Sequence, residues 1–472
     1  MRQFWSLTFC VCLFSLSSVC AQPVPKPSRN RIEQRWSELL NSPPELYAFL
    51  YEMPKGADLH NHLSGAVYAE RYLELAAQDH LCIDRRALSL LPPTAGQCPA
   101  GASEAALAEH NAELKSAMID SLSMRDFIPG PQSAHDHFFA TFQKFGGLNK
   151  THAGELVADV VKRAADQQES YIELMAVSGS GPIAHLGDRV GLQDFEVTRK
   201  KLEEAGLEQL VADLRARVEE MDAARERALG CRERPESPAC RVRVGYIYEV
   251  ARESPKQEVF AQVMAGFALA SSDPKVVAIN FVQPEDGTNA MRDYHLHMQM
   301  VDYAHRLYPQ VHITLHAGEL APGLVPPEGL RFHIREAIEL GHAERIGHGV
   351  DILYEQHAEQ LLQEMRDRHV AVEINLTSND QILGVRGNRH PFPVYLKHGV
   401  PVVISTDDEG VERTHLTEEF ERAVLTYHLS YAQVKQLVRN SIRYSFLNSM
   451  EKSRLEADLE EQFTRFEQSA FN

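Results

Sequence analysis

The sequence predicts an α/β fold, a (β/α)8 TIM barrel with a disulfide-bearing insertion after its first strand. Eight short apolar runs rich in β-branched residues recur along the chain, and each is followed by helix-like sequence. Polar groups stand at the carboxyl end of nearly every run, and a barrel collects functional groups at the carboxyl ends of its strands. An open doubly wound sheet is the alternative, and the same distribution of polar groups disfavours it.

The predicted strands are unevenly spaced along the 472 residues. In chain order they are Ala57–His62, Tyr171–Val177, Val242–Val250, Val276–Val282, His312–His316, Arg345–His348, Val370–Asn375 and Pro401–Thr406. The long segment between the first two strands predicts an insertion at about 81–128. We therefore expect a helical extension over 22–55, the barrel over 56–450 and a C-terminal helix over 451–472.

The first 21 residues predict an export signal. An apolar run, Phe4–Leu16, is too short to span a bilayer and leads into small residues. Val19 and Ala21 fit the pattern of a signal-peptidase site. A lipid anchor at Cys20 is the alternative, but Val19 stands where a small residue is needed. The sequence thus favours a secreted or periplasmic protein.

Export leaves four cysteines in the mature chain, Cys82, Cys98, Cys231 and Cys240. An even number of cysteines in an oxidising compartment predicts disulfides, and three pairings are possible. The local pairing, Cys82 with Cys98 and Cys231 with Cys240, is the simplest of the three.

The overall charge restricts the kinds of partner that this chain can bind. The formal net charge is −18, which argues against nucleic acids and anionic membranes. A composition of 44% apolar and 24% charged residues is that of a soluble protein with a substantial core. We expect a neutral or cationic small molecule as substrate, and no membrane partner once the signal is removed. The sequence leaves the oligomeric state open, and a homodimer is one of the states compatible with it.

Three histidines and one carboxylate at strand ends predict a divalent-metal site. His60 and His62 are two residues apart on a strand, so both side chains project from the same face. His316 ends another apolar strand, and Asp407 follows the last one. A set of three histidines and one aspartate with an open position is typical of catalytic rather than structural zinc.

Further ionisable groups beside these ligands predict proton transfer. Glu319 follows His316 by three residues and would donate a proton to a substrate ring nitrogen. His348, between Gly347 and Gly349, would hold or deprotonate the attacking water. Asp408 would accept a hydrogen bond from the substrate. Together these groups are typical of a metal-dependent hydrolase.

Five motifs resemble those of the adenosine deaminase family, in the same order. They are Lys55-Gly56-Ala57-Asp58-Leu59-His60-Asn61-His62-Leu63, His316-Ala317-Gly318-Glu319, Arg345-Ile346-Gly347-His348-Gly349, Ser378-Asn379 followed by Leu383-Gly384, and Ser405-Thr406-Asp407-Asp408. They lie between about residues 53 and 430. Met53-Pro54-Lys55-Gly56, the export signal and the early insertion make the chain most similar to the secreted branch, the adenosine deaminase-related growth factors.

This resemblance implies a zinc-dependent deaminase of adenosine or a related 6-aminopurine nucleoside, with one zinc ion per chain. The four predicted ligands would hold the zinc ion. Glu319 would protonate the purine nitrogen beside the reacting carbon, and His348 would assist the attacking water. Asp408 would contact the imidazole side of the purine.

Three departures from the family pattern put the substrate in question. Ser64 replaces the aspartate that normally meets the ribose. The motif of the fourth strand, normally Asp-Leu-x-Gly, begins with Asn280 and ends with Gln283, whose side chain is expected to intrude on the base site. Met175 replaces the usual arginine after the second strand's Tyr171-Ile172-Glu173-Leu174.

Two other functions remain open on sequence alone. The first is another amidohydrolase, acting on a different aminated heterocycle or on an amide. Binuclear members of that group use a modified lysine in the middle of the barrel, and the third predicted strand offers Glu249 and no lysine. The second is a binding or signalling protein on a deaminase scaffold, which the presence of every predicted ligand and acid disfavours.

Overall fold

An eight-stranded parallel barrel forms the centre of the computed structural model, which describes Met1 and residues 29–471. The barrel strands, in chain order, are β1 (Gly56–His62), β2 (Glu169–Ser178), β3 (Arg243–Ala251), β4 (Val276–Val282), β5 (His312–Ala317), β6 (Arg345–His348), β7 (Ala371–Ile374) and β8 (Val402–Ile404). All eight predicted strands are confirmed, each with both ends within two residues of its expected bounds. Each strand pairs in parallel with the next one along the chain.

The barrel closes at the residues that carry the predicted ligands. The backbone N–H of Asp407 donates to the carbonyl of His60 at 2.9 Å, and the N–H of His62 donates to the carbonyl of Asp407 at 2.9 Å. These bonds bring the end of β8 against the end of β1. The last ligand is therefore held beside the first two by the same bonds that complete the barrel.

Helices cover the outside of the barrel, and the strands are buried on both faces, which explains their continuous apolar runs. The helices are Arg29–Leu39, Pro43–Glu52, Leu63–Ala66, Ala69–Gln78, Ala112–Ser121, Ala134–Thr141, Leu148–Thr151, Ala153–Asp166, Pro182–Val190, Phe195–Glu204, Leu207–Leu229, Pro238–Arg241, Lys256–Ala270, Thr288–Leu307, His333–Glu339, Ala358–Asp367, Leu376–Leu383, Phe392–His398, Glu409–Glu412, Leu416–Tyr427, Tyr431–Arg443 and Ser449–Ala470. Short 3-10 turns occupy Ala105–Glu109, Pro327–Leu330, Ile352–Tyr354 and Gly387–Arg389.

The insertion after β1 contains a small antiparallel sheet. Its strands are Cys82–Asp84, Ser89–Leu91 and Ala102–Glu104, with the first strand in the middle. A disulfide joins Cys82 to Cys98, and a second joins Cys231 to Cys240. The local pairing of the four cysteines is confirmed.

The expected export signal lies outside the described residues, as do Cys10, Cys12 and Cys20. Among the helices of the described part, none has the length and apolar character that crossing a bilayer requires.

Candidate metal centre and active site

The four predicted ligands meet at the carboxyl end of the barrel. The Nε2 atoms of His60 and His62 each lie 3.1 Å from the Nε2 atom of His316. The Oδ1 atom of Asp407 lies 3.3 Å from the Nε2 atoms of both His60 and His62. The structure therefore brings together donor atoms from the ends of β1 and β5 and from the turn after β8.

Two of these histidines present lone pairs, and not protons, to the common centre. The Nδ1–H of His60 donates to the Glu373 carboxylate at 2.6 Å. The Oδ1 atom of Asn280 accepts the backbone N–H of His316 at 3.0 Å and lies 3.1 Å from its Nδ1, so that nitrogen also carries a proton. In a neutral ring the Nε2 atom is then an acceptor. Two facing acceptors are bridged by a cation, which is a metal ion or a proton; burial opposes a charge on His60, but Asp407 and Glu373 raise its pKa to about 9.

The spacing of the donor atoms fits one tetrahedral ion. Bonds of about 2.0–2.1 Å from an ion to nitrogen or oxygen place neighbouring ligand atoms about 3.3 Å apart in a tetrahedron. The observed separations of 3.1–3.3 Å match that value. Imidazole with a single carboxylate suits zinc and similar divalent ions better than calcium or magnesium. The residues present thus fit a catalytic divalent metal.

Asp407 has a strained backbone, and its carboxylate lies among three histidines. Its backbone φ is +62°, a left-handed conformation that is uncommon outside glycine. Burial disfavours its ionised form, but His348, His60 and His62 together hold its pKa well below the usual range. An ionised carboxylate at this position is suited to metal binding, and backbone strain of this kind is concentrated at functional sites.

Glu319 is buried beside this cluster, and its backbone is fixed by a second acid. The Glu285 carboxylate accepts the N–H groups of Gly318 and Glu319 at 3.0 and 2.8 Å. Burial, followed by the charge of Asp407, raises the pKa of Glu319 well above its usual range. Its Oε1 atom lies 3.7 Å from the Nδ1 atom of His348. A carboxyl group that keeps its proton in this position can act as a general acid.

His348 has another left-handed conformation, with φ +68°, and its ring centroid lies 5.0 Å from that of His60 and 5.1 Å from that of His316. Its Nε2 atom is 3.7 Å from the Oδ2 atom of Asp407. Burial lowers the pKa of His348 to about 3, although the charge of Asp407 opposes that shift. The side chain is therefore a neutral imidazole that faces the same centre as Glu319.

Asp408 packs against the first helix after β1, which contains Ser64. The carboxylate of Asp408 packs directly on Gly65, where a Cβ atom would lie 1.5 Å from Oδ1. Burial raises the pKa of Asp408 well above its usual range, and His62 opposes that rise. Ser64 is half-buried in the helix Leu63–Ala66, and its carbonyl accepts the Tyr72 hydroxyl at 2.8 Å.

The side chain of Gln283 is bound to the loop after β3. Its side chain is exposed and accepts the backbone N–H of Glu253 at 2.9 Å, so the β3 loop holds the amide. Its backbone has φ +81°, the left-handed conformation that glycine adopts easily. The residue thus keeps a glycine-like backbone, and its side chain is held by the loop after β3.

Several residues around the centre were missed by sequence analysis. Glu373 holds His60 and also accepts from Thr314 at 2.9 Å and from Arg345 at 2.5 Å. Arg345 in turn donates to Glu173 at 2.5 Å, and all of these side chains are buried. The signal in the sequence was Glu373, a single acid within the apolar run of β7. An acid is costly to bury unless it is paired.

A family model for adenosine deaminase matches residues 212–462, more than half of the chain. The chain belongs to the adenosine deaminase family. Its curated relatives include adenosine deaminases from Clostridium perfringens, 34% identical over 148 residues, and from Escherichia coli O157:H7, 38% identical over 145 residues. These matches cover 31% and 30% of this chain and 41% and 40% of the relatives. The chain thus aligns with about two-fifths of the length of these relatives.

Solved structures of adenosine deaminase-like proteins and other amidohydrolases share the fold over a longer range. Arabidopsis ADAL complexed with GMP superposes with a TM-score of 0.57 at 21% identity, covering 88% of this chain and 98% of that one. An amidohydrolase with bound zinc from Burkholderia ambifaria gives a TM-score of 0.58 at 17% identity, covering 90% and 94%. At these identities the likeness establishes the barrel fold of this deaminase-family chain and no more.

Proposed function

We propose that the protein is a zinc-dependent hydrolytic deaminase that converts adenosine, or a related 6-aminopurine nucleoside, to the 6-oxopurine product and ammonia. The observation that carries the proposal is the convergence of His60, His62, His316 and Asp407, with Glu319 and His348 beside the same carboxylate. Family membership supports the class of reaction. Purine complexes of structural neighbours, such as ADAL with IMP, support a small purine as substrate.

The chain's own residues supply binding and proton transfer. His60, His62, His316 and Asp407 would hold a divalent ion, which would acidify and orient a water for attack on the carbon bearing the amino group. Glu319 would give its proton to the neighbouring ring nitrogen, which accepts electrons as that carbon becomes tetrahedral. His348 would hold the attacking oxygen, and Asp408 would bind the imidazole side of the purine. The proton that the water loses would pass to the Glu319 carboxylate. As the tetrahedral carbon becomes the 6-oxo group, its bond to the amino nitrogen would break, and that nitrogen would leave as ammonia with the remaining hydroxyl proton.

Ammonia release from a substrate panel tests this proposal. The panel contains adenosine, deoxyadenosine, adenine, methylthioadenosine, AMP and N6-methyl-AMP, each assayed with zinc-loaded and chelator-treated protein. We expect metal-dependent ammonia release that is fastest with a 6-aminopurine nucleoside. Activity only on a non-purine heterocycle would move the protein to another amidohydrolase class. No ammonia from any compound by zinc-loaded protein would support a non-catalytic role.

We also infer that the protein is exported to a secreted or periplasmic location. Val19 and Ala21 fit a cleavage site, and two disulfides are typical of an oxidising compartment. N-terminal sequencing of the protein recovered outside the cytoplasm should begin at Gln22. Intact protein beginning at Met1, recovered from the cytoplasm with free thiols, would contradict export.

A further inference from the structure

A buried histidine outside the predicted site receives a hydrogen bond that fixes its tautomer. His390 is 3% exposed and lies just before the helix Phe392–His398. The first N–H groups of a helix have no partner within the helix, so they are free to donate to a side chain. The N–H of Phe392 donates to the Nδ1 atom of His390 at 3.1 Å. Burial lowers the pKa of His390 to about 4, so its single proton lies on Nε2.

The orientation of the next side chain follows from that proton. The Nε2–H of His390 lies 2.9 Å from the Oδ1 atom of Asn379, which accepts it. The amide of Asn379 cannot turn over without placing two donors against each other. Its Nδ2–H group therefore points the other way, where it lies 2.9 Å from the Nδ1 atom of His348.

His348 consequently has a defined tautomer. Its Nδ1 atom accepts from Asn379, and the amide Nδ2 of Asn375 lies 3.5 Å from the same nitrogen. The Oε1 atom of Glu319, at 3.7 Å, is too distant to accept a proton from Nδ1. The proton of the neutral ring is therefore on Nε2. That nitrogen is buried, faces the metal-ligand cluster, and has no hydrogen-bond partner among the described residues.

We propose that Asn379 and His390 are positioning residues that lock His348 in the Nε2–H tautomer. In this tautomer His348 donates a hydrogen bond to the attacking oxygen and does not take a proton from it. This chain of hydrogen bonds starts at the backbone N–H of Phe392, so the fold, and not solvent, determines the tautomer of His348. The assignment rests on the proposed function, because the donor acts on the attacking oxygen of that reaction.

Two substitutions of Asn379 separate tautomer control from packing. Asn379→Asp keeps the shape but offers only acceptors, so His348 must place a proton on Nδ1 to bond with it. Asn379→Ala removes the constraint and opens a small cavity. We expect the aspartate variant to lose ~10²-fold or more in kcat with little change in KM, and the alanine variant to lose only ~10-fold. An alanine variant that is the slower of the two would indicate a packing role and overturn the proposal.

Two substitutions of His390 provide an independent test of the proposal. His390→Gln keeps a donor that can reach Asn379, whereas His390→Phe fills the space without one. We expect kcat close to wild type in the glutamine variant and about tenfold lower in the phenylalanine variant. His398→Phe, on the same helix and bonded to Val394 and Glu359, is the matched control and should not change kcat. Equal kcat in the glutamine and phenylalanine variants would count against the proposal.

A direct readout of the ring protons keeps this test apart from the test of the proposed function. Zinc-loaded protein labelled with ring-15N histidine is measured by NMR, with His348→Gln used to assign the His348 signals. We expect an attached proton on Nε2 in wild type and on Nδ1 in Asn379→Asp. A proton on Nδ1 in wild type overturns the proposal even if the protein deaminates adenosine. If no substrate is deaminated, the NMR result still decides the tautomer.

Discussion

At the residue scale, the partners of the ligand side chains determine how strongly each is held. The Nδ1 atom of His60 has a buried carboxylate at 2.6 Å, whereas that of His316 has a neutral amide at 3.1 Å. The Nδ1 atom of His62 lies 3.8 Å from Glu249, which is beyond hydrogen-bond distance. Outer partners of this kind fix ring orientation and raise ligand basicity. His60 is therefore the most firmly oriented of the three.

Removal of one ligand should abolish metal binding. We expect Asp407→Ala to lose both bound zinc and activity, because the site loses one of its four ligands. The measurement is zinc per chain by elemental analysis after dialysis. Asp380→Ala, a change at a carboxylate outside the cluster, serves as control and should keep about one zinc. Full zinc content in Asp407→Ala would contradict the ligand assignment.

Glu319 should be needed for proton transfer but not for metal binding. Glu319→Gln keeps the size of the side chain and removes its acid function, so we expect normal zinc content and a loss of ~10²-fold or more in kcat. Zinc content and kcat are measured on the same preparation. Normal turnover in this variant would make Glu319 a structural carboxylate.

Two of the departures from the family pattern turn out to be neighbours. The Nδ2 atom of Asn280 lies 3.3 Å from the sulfur of Met175, and both side chains are buried. The usual family residues at these positions are an aspartate and an arginine, so a neutral pair occupies the place of two opposite charges. The two departures are therefore better regarded as one coupled change beside His316.

This coupling can be measured with a double-mutant cycle. Met175→Arg alone and Asn280→Asp alone each leave a buried charge without its partner, which costs about 3 kcal/mol or more in the free energy of unfolding. The double variant should recover most of that loss, because the two charges then pair. Chemical denaturation of all four proteins gives the coupling energy. Additive effects of the two substitutions would show that the residues act independently.

At the scale of secondary structure, one arginine at the start of β6 joins this strand to other barrel strands and to the segment after the helix Tyr431–Arg443. Arg345 donates to Glu173 on β2 and Glu373 on β7, each at 2.5 Å. It also donates to the carbonyl of Tyr444 at 2.9 Å and stacks on Phe446 at 3.8 Å. Because Glu373 also holds His60, the same group that links the strands supports a metal ligand.

Replacement of this arginine should weaken both stability and metal binding. Arg345→Met keeps much of the volume but leaves two buried carboxylates without a cation, so we expect a loss of about 3 kcal/mol or more in unfolding free energy. Zinc affinity, measured by chelator competition, should fall because Glu373 no longer holds one orientation. Arg465→Met, which removes an exposed pair with Glu461, is the control and should change stability little. Unchanged zinc affinity in Arg345→Met would refute the link to the metal centre.

At the scale of the whole molecule, the disulfides restrain segments that the barrel itself does not. Cys82–Cys98 closes a separation of 16 residues within the insertion, and Cys231–Cys240 closes one of 9 residues before β3. Cross-links of this length stabilise a fold mainly by restricting its unfolded chain, by about 2–4 kcal/mol each. Neither disulfide joins an element that carries a metal ligand, so we expect an effect on stability and not on chemistry.

Peptide mapping and reduction test this assignment. Digestion of exported protein without reductant should yield peptides linking Cys82 to Cys98 and Cys231 to Cys240. The double variant Cys82→Ser, Cys98→Ser should have a lower thermal midpoint and retain its zinc. Peptides joining the two loops to each other would contradict the local pairing.

The sequence by itself determined the strands and the candidate ligands, and it favoured the local disulfide pairing. Strands were predictable because apolar β-branched runs reflect burial on both faces, a property of each segment alone. The candidate ligands were predictable because parallel strands in a barrel end at one rim, so motifs after separate strands converge. The local disulfide pairing was favoured because each pair closes a short loop in the sequence.

Only the tertiary structure decided which partners hold those groups. Glu373 meets His60 across 313 positions of the chain, and Asn280 meets Met175 across 105, so no local pattern records either contact. The orientation of Gln283 depended in the same way on a backbone N–H of a neighbouring loop. Local patterns record which face of a segment is buried, whereas hydrogen bonds between distant segments depend on side-chain positions that exist only once the barrel has closed.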